Sequence, residues 1–309
     1  MTLVVGFAPD GRGRAVLHLA AMLARSAGDD LVVCAVVPLP WPPGVARVDA
    51  EYQAELEAIA NEALAQARAR LPADLPAAYV IHHARSVPAG LLEVVERHDA
   101  GLLVTGSASA GGAGHVSPGS TTSRLLHSSP VPVAVAPHGF RRRPDARVTR
   151  VTAAYGGDDD DLVVAAAGVA ARVGASLRIA SFAVRPRAPV TAGVGTEADA
   201  SLVAEWARDI RAAAQAALDE VAHLPEVPRE VEAVIGHGRT WDDALEDVEW
   251  DDGDVLVVGS SASGPLARVF LGSAATKIVR HSPVPVTVVP RGVAAELAGE
   301  ELRAESGRA

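Results

Sequence analysis

The sequence predicts an α/β protein made of two doubly wound, mostly parallel sheets in tandem. Three observations carry this expectation. The chain repeats itself: the shift in numbering that takes Gly106 of Leu103-Val104-Thr105-Gly106-Ser107 to Gly259 of Val257-Val258-Gly259-Ser260 also takes Gly119-Ser120 to Gly272-Ser273. It takes Pro130, Pro132 and Pro137 to Pro283, Pro285 and Pro290 as well, the mark of a duplicated structural unit. Within each repeat, short apolar runs alternate with longer stretches of helical period, an order that calls for right-handed crossovers between parallel strands. Finally, 309 residues suffice for two units of about 150 residues each. The expected organisation is one unit over 1–138, a linker over 139–147, a second unit over 148–291 and a tail over 292–309.

The first unit opens with Leu3 to Phe7, a near-continuous apolar run of the kind buried on both faces of a parallel sheet. Gly13 to Ala27 then places Val16, Leu19, Ala20 and Leu23 on one helical face. Leu31 to Val37 is the second strand, and Glu51 to Arg70, with Leu56, Ile59, Ala63 and Ala67 at helical spacing, the second helix. Ala78 to His82 is the third strand, Leu91 to His98 a shorter helix, Leu102 to Gly106 the fourth strand, Thr121 to His127 a helix and Val131 to Ala136 the closing strand. The second unit repeats that order. Strands fall at Val148 to Tyr155, Leu177 to Val184, Glu230 to Ile235, Val255 to Gly259 and Val284 to Val289. Helices fall at Leu162 to Val173, Leu202 to His223, Trp241 to Glu249 and Ala274 to Arg280. The early prolines of the two closing strands, Pro132 and Pro285, cannot donate to a neighbour and mark those strands as edges that must be covered or paired. The Ala/Glu-rich tail from Val293 is expected to fray.

Composition excludes several classes. Apolar residues make up 49% and charged ones 21% of the chain, the balance of a globular protein and not of a disordered one. A net charge of −10 argues against nucleic acid or an anionic membrane as the main partner. Leu162 to Val184 is broken by Arg172 and Arg178 and reads as helix plus strand, not a membrane span. Met1 to Asp10 has neither a basic start nor a cleavage pattern, and the lone Cys34 permits no internal disulfide, so a cytoplasmic protein is expected.

In a doubly wound sheet, ligands bind beyond the carboxyl ends of the strands. There the first unit has Gly106-Ser107-Ala108-Ser109-Ala110-Gly111-Gly112-Ala113-Gly114, followed by Gly119-Ser120 at a helix start. The second has Gly259-Ser260-Ser261-Ala262-Ser263-Gly264, then Gly272-Ser273. Backbone amides, a hydroxyl and the positive end of a helix dipole converge there, which suits a phosphate.

This spacing resembles that of the universal stress protein family, whose members carry Gly-x2-Gly-x9-Gly-Ser/Thr after the fourth strand. A helix and a His-x-Pro-x-Pro-Val closing strand then follow. Here Gly106, Gly119 and Ser120 precede His127-Ser128-Ser129-Pro130-Val131-Pro132-Val133, and Gly259, Gly272 and Ser273 precede His281-Ser282-Pro283-Val284-Pro285-Val286. The resemblance implies a Rossmann-like fold of the adenine nucleotide alpha hydrolase-like type, and ATP or another adenine nucleotide as ligand. It would lie at Gly106, Ser107, Ser109, Gly111, Gly119 and Ser120, and at Gly259, Ser260, Ala262, Gly272 and Ser273. It also implies closing strands paired between subunits or, in a tandem chain, between the two units as an internal pseudo-dimer. A further homodimer and an unidentified protein partner stay open. The sequence departs from the family pattern twice. Ser109 and Ala262 replace the second glycine, and Ala8 and Gly156 stand where nucleotide-binding members carry an Asp. An unmatched polar group on the ligand costs about 1–3 kcal/mol.

Charge separates the two units. The first turn after a strand reads Asp10-Gly11-Arg12-Gly13-Arg14, and its counterpart holds Asp158-Asp159-Asp160-Asp161. Aspartates suit a helix start, but they repel a triphosphate, so the first unit is the expected nucleotide site. His82-His83 and His237 read as polar residues near the strand ends, not metal ligands. No serine has a base and acid arranged around it for nucleophilic attack. The expected function is stress-responsive nucleotide binding without catalysis. The alternative is a scaffold module that no longer binds nucleotide, and slow ATP hydrolysis is a third reading with no general base to support it.

Overall fold

A computed structural model describes residues 1–8, 13–39, 46–108, 112, 114–157, 159–184, 196–260 and 271–306. The first half runs β1 (Thr2–Gly6), α1 (Gly13–Ala27), β2 (Asp30–Pro38), α2 (Ala46–Arg70), β3 (Ala77–Ala84), α3 (Val87–Arg97), β4 (Ala100–Gly106), α4 (Ser120–Ser128) and β5 (Val133–Ala136). The second runs β6 (Arg150–Ala154), α5 (Asp160–Val173), β7 (Ser176–Val184), α6 (Thr196–Val221), β8 (Val231–Gly238), α7 (Trp241–Glu246), β9 (Asp254–Gly259), α8 (Ser273–His281) and β10 (Val286–Val289). A last helix, α9 (Arg291–Ser306), follows.

The ten strands among the described residues form one sheet in the order β3-β2-β1-β4-β5-β10-β9-β6-β7-β8. Each half is parallel throughout, and the halves meet where β5 and β10 pair antiparallel, Val286 opposite Val135 and Val288 opposite Val133. The closing strands are therefore central, and β3 and β8 are the edges. Pro132 and Pro285 sit just before the paired residues, where a missing donor costs the ladder nothing.

Strand alternation sends one set of side chains to each face. Leu3, Val5, Leu31 and Val33 pack under α1 and α2, in a core that continues through α5, α6 and α9. Val4, Val32 and Cys34 face the opposite layer of α3, α4, α7 and α8. That second core crosses the seam: Leu125 and Leu126 of α4 share it with Ile278 and Val279 of α8.

Several elements differ from expectation. Helix α3 begins a turn early because Ser86 caps it, its hydroxyl accepting from Ala89 N at 3.4 Å, with a proline in the first turn. Helix α7 is shorter than expected, opened by a Thr240–Asp243 capping box. The described part of the tail does not fray: α9 buries Ala294 and Ala298, one turn apart, against α5. The linker is tied down on both sides. Phe140 is buried, Arg142 pairs with Asp252, Arg25 reaches the Pro144 carbonyl, and Val148 N donates to Ser26 Oγ at 2.8 Å.

Candidate functional site

The strand order turns back at β1, whose neighbours are β2 on one side and β4 on the other. Above their carboxyl ends lies a cavity of about 480 Å³. Its floor is Gly6, Phe7, Thr105 and Gly106, one wall is Val36 to Pro38, and another is Leu56, Ile59 and Ala60 of α2. The start of α4, Gly119 to Thr122, faces them. Ile59 is 43% exposed: helical spacing puts it on the apolar face of α2, but α2 outruns the sheet and its upper turns wall the cavity instead. That excess length, 25 residues beside strands of five to nine, is the signal that could have shown it.

Gly119 caps α4 with extended backbone and no side-chain bond. The amides of Ser120, Thr121 and Thr122 therefore have no acceptor within the helix and open toward the cavity. Thr122, not singled out from sequence, fastens this helix to the sheet by donating to the Gly106 carbonyl at 2.9 Å. Gly106 itself is required by packing, since a Cβ there would lie 2.7 Å from Val16 Cγ2 of α1. Ser107 is a strut and not a free donor: its hydroxyl donates to Ala136 O at 2.7 Å and accepts from Ser117 N at 3.0 Å. With Ala108 N on Ser117 O at 2.6 Å, the two ends of the glycine loop are clipped together. Ser109 and Gly111, between them, lie outside the described residues. Just inside the clip the loop reaches across the seam, where Val116 N donates to Ser282 O at 3.2 Å.

The corresponding place in the second half carries a carboxylate. The position a Cβ on Gly259 would take is held by the Asp159 carboxylate, with Leu162 beside it. Tyr155, buried, donates from its hydroxyl to Asp160 Oδ1 at 2.7 Å. Asp159 is the N-cap position of α5, yet it makes no side-chain cap bond there. The Ser260 hydroxyl accepts from Arg291 N at 3.1 Å and so satisfies the first turn of α9. Gly272 caps α8 as Gly119 caps α4, with Ser273 exposed at its first position. Ala262 lies outside the described residues.

Among the described residues lining the first cavity none is charged and none is a histidine. Cys34 borders it, and burial pushes its thiol up to about 12, so it is an inert core residue. His82 is not at the strand end but buried in β3, its Nε2 2.5 Å from Glu93 Oε2; His83 pairs with Glu57 at 2.8 Å. Among the described residues no group of three or more His, Cys, Asp or Glu could hold a metal, and no helix is long and apolar enough to cross a membrane.

Fold and site together define a class: tandem α/β units on one sheet, with a switch-point cavity between a glycine loop and a helix N-terminus. The profile of the universal stress protein family matches residues 1–137 and again 148–290, and the chain belongs to that family. It is 40% identical over 296 residues to universal stress proteins of Mycobacterium tuberculosis (strain ATCC 25618 / H37Rv) and Mycobacterium bovis. Each match covers 94% of this chain and 100% of the relative. The fold is similar to that of a universal stress protein from Archaeoglobus fulgidus DSM 4304, at TM-score 0.60 and 20% identity, over 94% of this chain and 98% of that one. It is also similar to a functionally unknown protein from Pseudomonas aeruginosa PAO1, at TM-score 0.55 and 15% identity, over 98% and 97% of the two chains.

Proposed function

We propose that this universal stress protein binds one adenine nucleotide per chain, in the first half, and responds to it without catalysing a reaction. The observation that carries the reading is the contrast between the halves. One has an open cavity with apolar walls for a base and unpaired helix amides for phosphates. In the other the Asp159 carboxylate lies over Gly259, a charge that repels a phosphate. Phe7, Val36 and Ile59 would face the base, and the Ser120 and Thr121 amides the phosphates. Ala8 leaves the ribose without the carboxylate that the family pattern supplies, which makes the affinity modest. Absence of an acid or base among the described lining residues supports binding over hydrolysis.

Charge reversal at the helix starts tests this. Ser120→Asp puts an anion at the positive end of α4, which favours the helix by about 0.3–1 kcal/mol but repels a phosphate. Titration calorimetry should find one ATP per chain for the parent, at least tenfold weaker binding for Ser120→Asp with an unlowered melting temperature, and unchanged binding for Ser273→Asp. Two equivalents of ATP, or equal losses in both variants, would refute the asymmetry. No heat at millimolar ATP would leave the scaffold reading standing.

A further inference from the structure

Behind the wall formed by Ser107 and its two hydrogen bonds lies a second cavity, of about 370 Å³, between α1 and the linker. Gly13 faces the first cavity; Arg14 faces this one, with Arg70, His138 and Arg141. The neighbouring arginines of the linker are all spoken for. Arg142 pairs with Asp252 at 3.4 Å and stacks on Phe140 at 4.4 Å, Arg143 pairs with Asp145 at 3.1 Å, and Arg147 bonds to the Arg25 carbonyl. Arg14 and Arg141 have no carboxylate partner among the described residues, and Arg70 bonds only to the neutral amide of Gln66, at 3.2 Å. No described residue lining the cavity is acidic. In a chain of net charge −10, three cations are thus gathered around one space with nothing opposite them.

A second observation points to the same place. His138 Nδ1 is buried and has no hydrogen-bond partner, and an orphaned buried polar atom calls for a ligand or a water. The field is felt one turn down α1. There burial holds His18 below its ordinary range against an opposing hydrogen bond with the Arg142 backbone, and the charges of Arg141, Arg14 and Arg142 add to the lowering.

We propose that the cavity bounded by Arg14, Arg70, His138 and Arg141 is a site for a phosphate-class oxyanion, separate from the nucleotide cavity. Guanidinium forks match the paired oxygens of such an anion, and a ring nitrogen of His138 can donate to a third oxygen. Beside a bare phosphate there is room for the organic part of a small phosphomonoester.

The test is titration calorimetry of the full-length protein with inorganic phosphate, in chloride buffer and without nucleotide. Saturable one-to-one binding is expected, at least tenfold weaker in the Arg14→Gln/Arg141→Gln double variant. Arg143→Gln, an equally exposed cation already paired with Asp145, should bind phosphate like the parent. Ser120→Asp should also leave it unchanged, so the outcome does not depend on whether ATP binds next door. Absence of saturable binding, full affinity in the double variant, or an equal loss in Arg143→Gln would overturn the proposal. All these side chains are exposed, so matching melting curves are expected throughout.

Discussion

Asp254 shows how unevenly ion pairs are weighted in this protein. Its side chain is fully buried at the start of β9. Oδ2 accepts from Arg150 Nη2 at 2.7 Å and from Asp251 N at 2.9 Å, while Oδ1 has no partner. The pair is private to the second half, because Thr2 opposite Ala100 occupies the matching register in the first. Removing one member of a buried pair strands the other, at a cost of about 3–5 kcal/mol. Asp251 and Glu232 also approach Arg150 and hold Asp254→Ala near the lower figure. Urea denaturation should show that loss. Asp74→Ala, which breaks an equally well-formed bond to Arg25 on an exposed carboxylate, should move the midpoint far less, because water replaces the lost partner. If the two variants lost equal stability, burial would not be what gives the Asp254 pair its weight.

At the scale of elements, what was legible in the sequence followed from periodicity, and what was missed depended on where helices end. Strands β1, β2, β4 and β9 are continuous apolar runs whose type two-sided burial dictates. The repeat fixed the order of the rest. For Ile59, helical spacing says which face is apolar but not how far a helix overhangs its sheet. Asp159 could be read as a helix start, and its charge as unfavourable to a triphosphate. That its carboxylate lies over Gly259 depends on a rotamer no spacing encodes. The tail gave the clearest miss. Ala294 and Ala298 are too small to advertise an apolar stripe, yet their size lets α9 lie close on α5. Ser260 links this helix to the family's motif, since it satisfies the Arg291 amide that begins α9. Loss of such a terminal bond typically costs about 1 kcal/mol. Ser260→Ala should lower stability by that much in denaturant unfolding and leave ATP binding at the parent value. A loss of ATP affinity instead would mean that the second half holds a nucleotide through Ser260.

For the whole molecule, the decisive feature is that two parallel sheets became one. A parallel half ends in β5, an apolar strand with one side open, and an open apolar edge invites pairing. In this chain β10 answers it, and the second face core runs on across the seam through Leu125, Leu126, Ile278 and Val279. The linker and the Val116–Ser282 bond add further ties. Shared core and shared ladder make the halves one cooperative unit, so the full chain should unfold in a single transition with coincident fluorescence and circular dichroism curves. The same physics predicts the behaviour of residues 1–138 expressed alone. With β10 and α8 gone, Val133 and Val135 present an unpaired ladder, and Leu125 and Leu126 lose the apolar partners across the seam. A second copy can supply both through a twofold axis, β5 against β5, because the contact it replaces is already near-symmetric. Sedimentation equilibrium should therefore find this half as a dimer at micromolar concentration. Val135→Pro, which removes a ladder donor from the side of β5 that faces its partner strand, should shift it toward monomer. A half that stays monomeric and well folded would mean that the seam holds the two units together without either needing it.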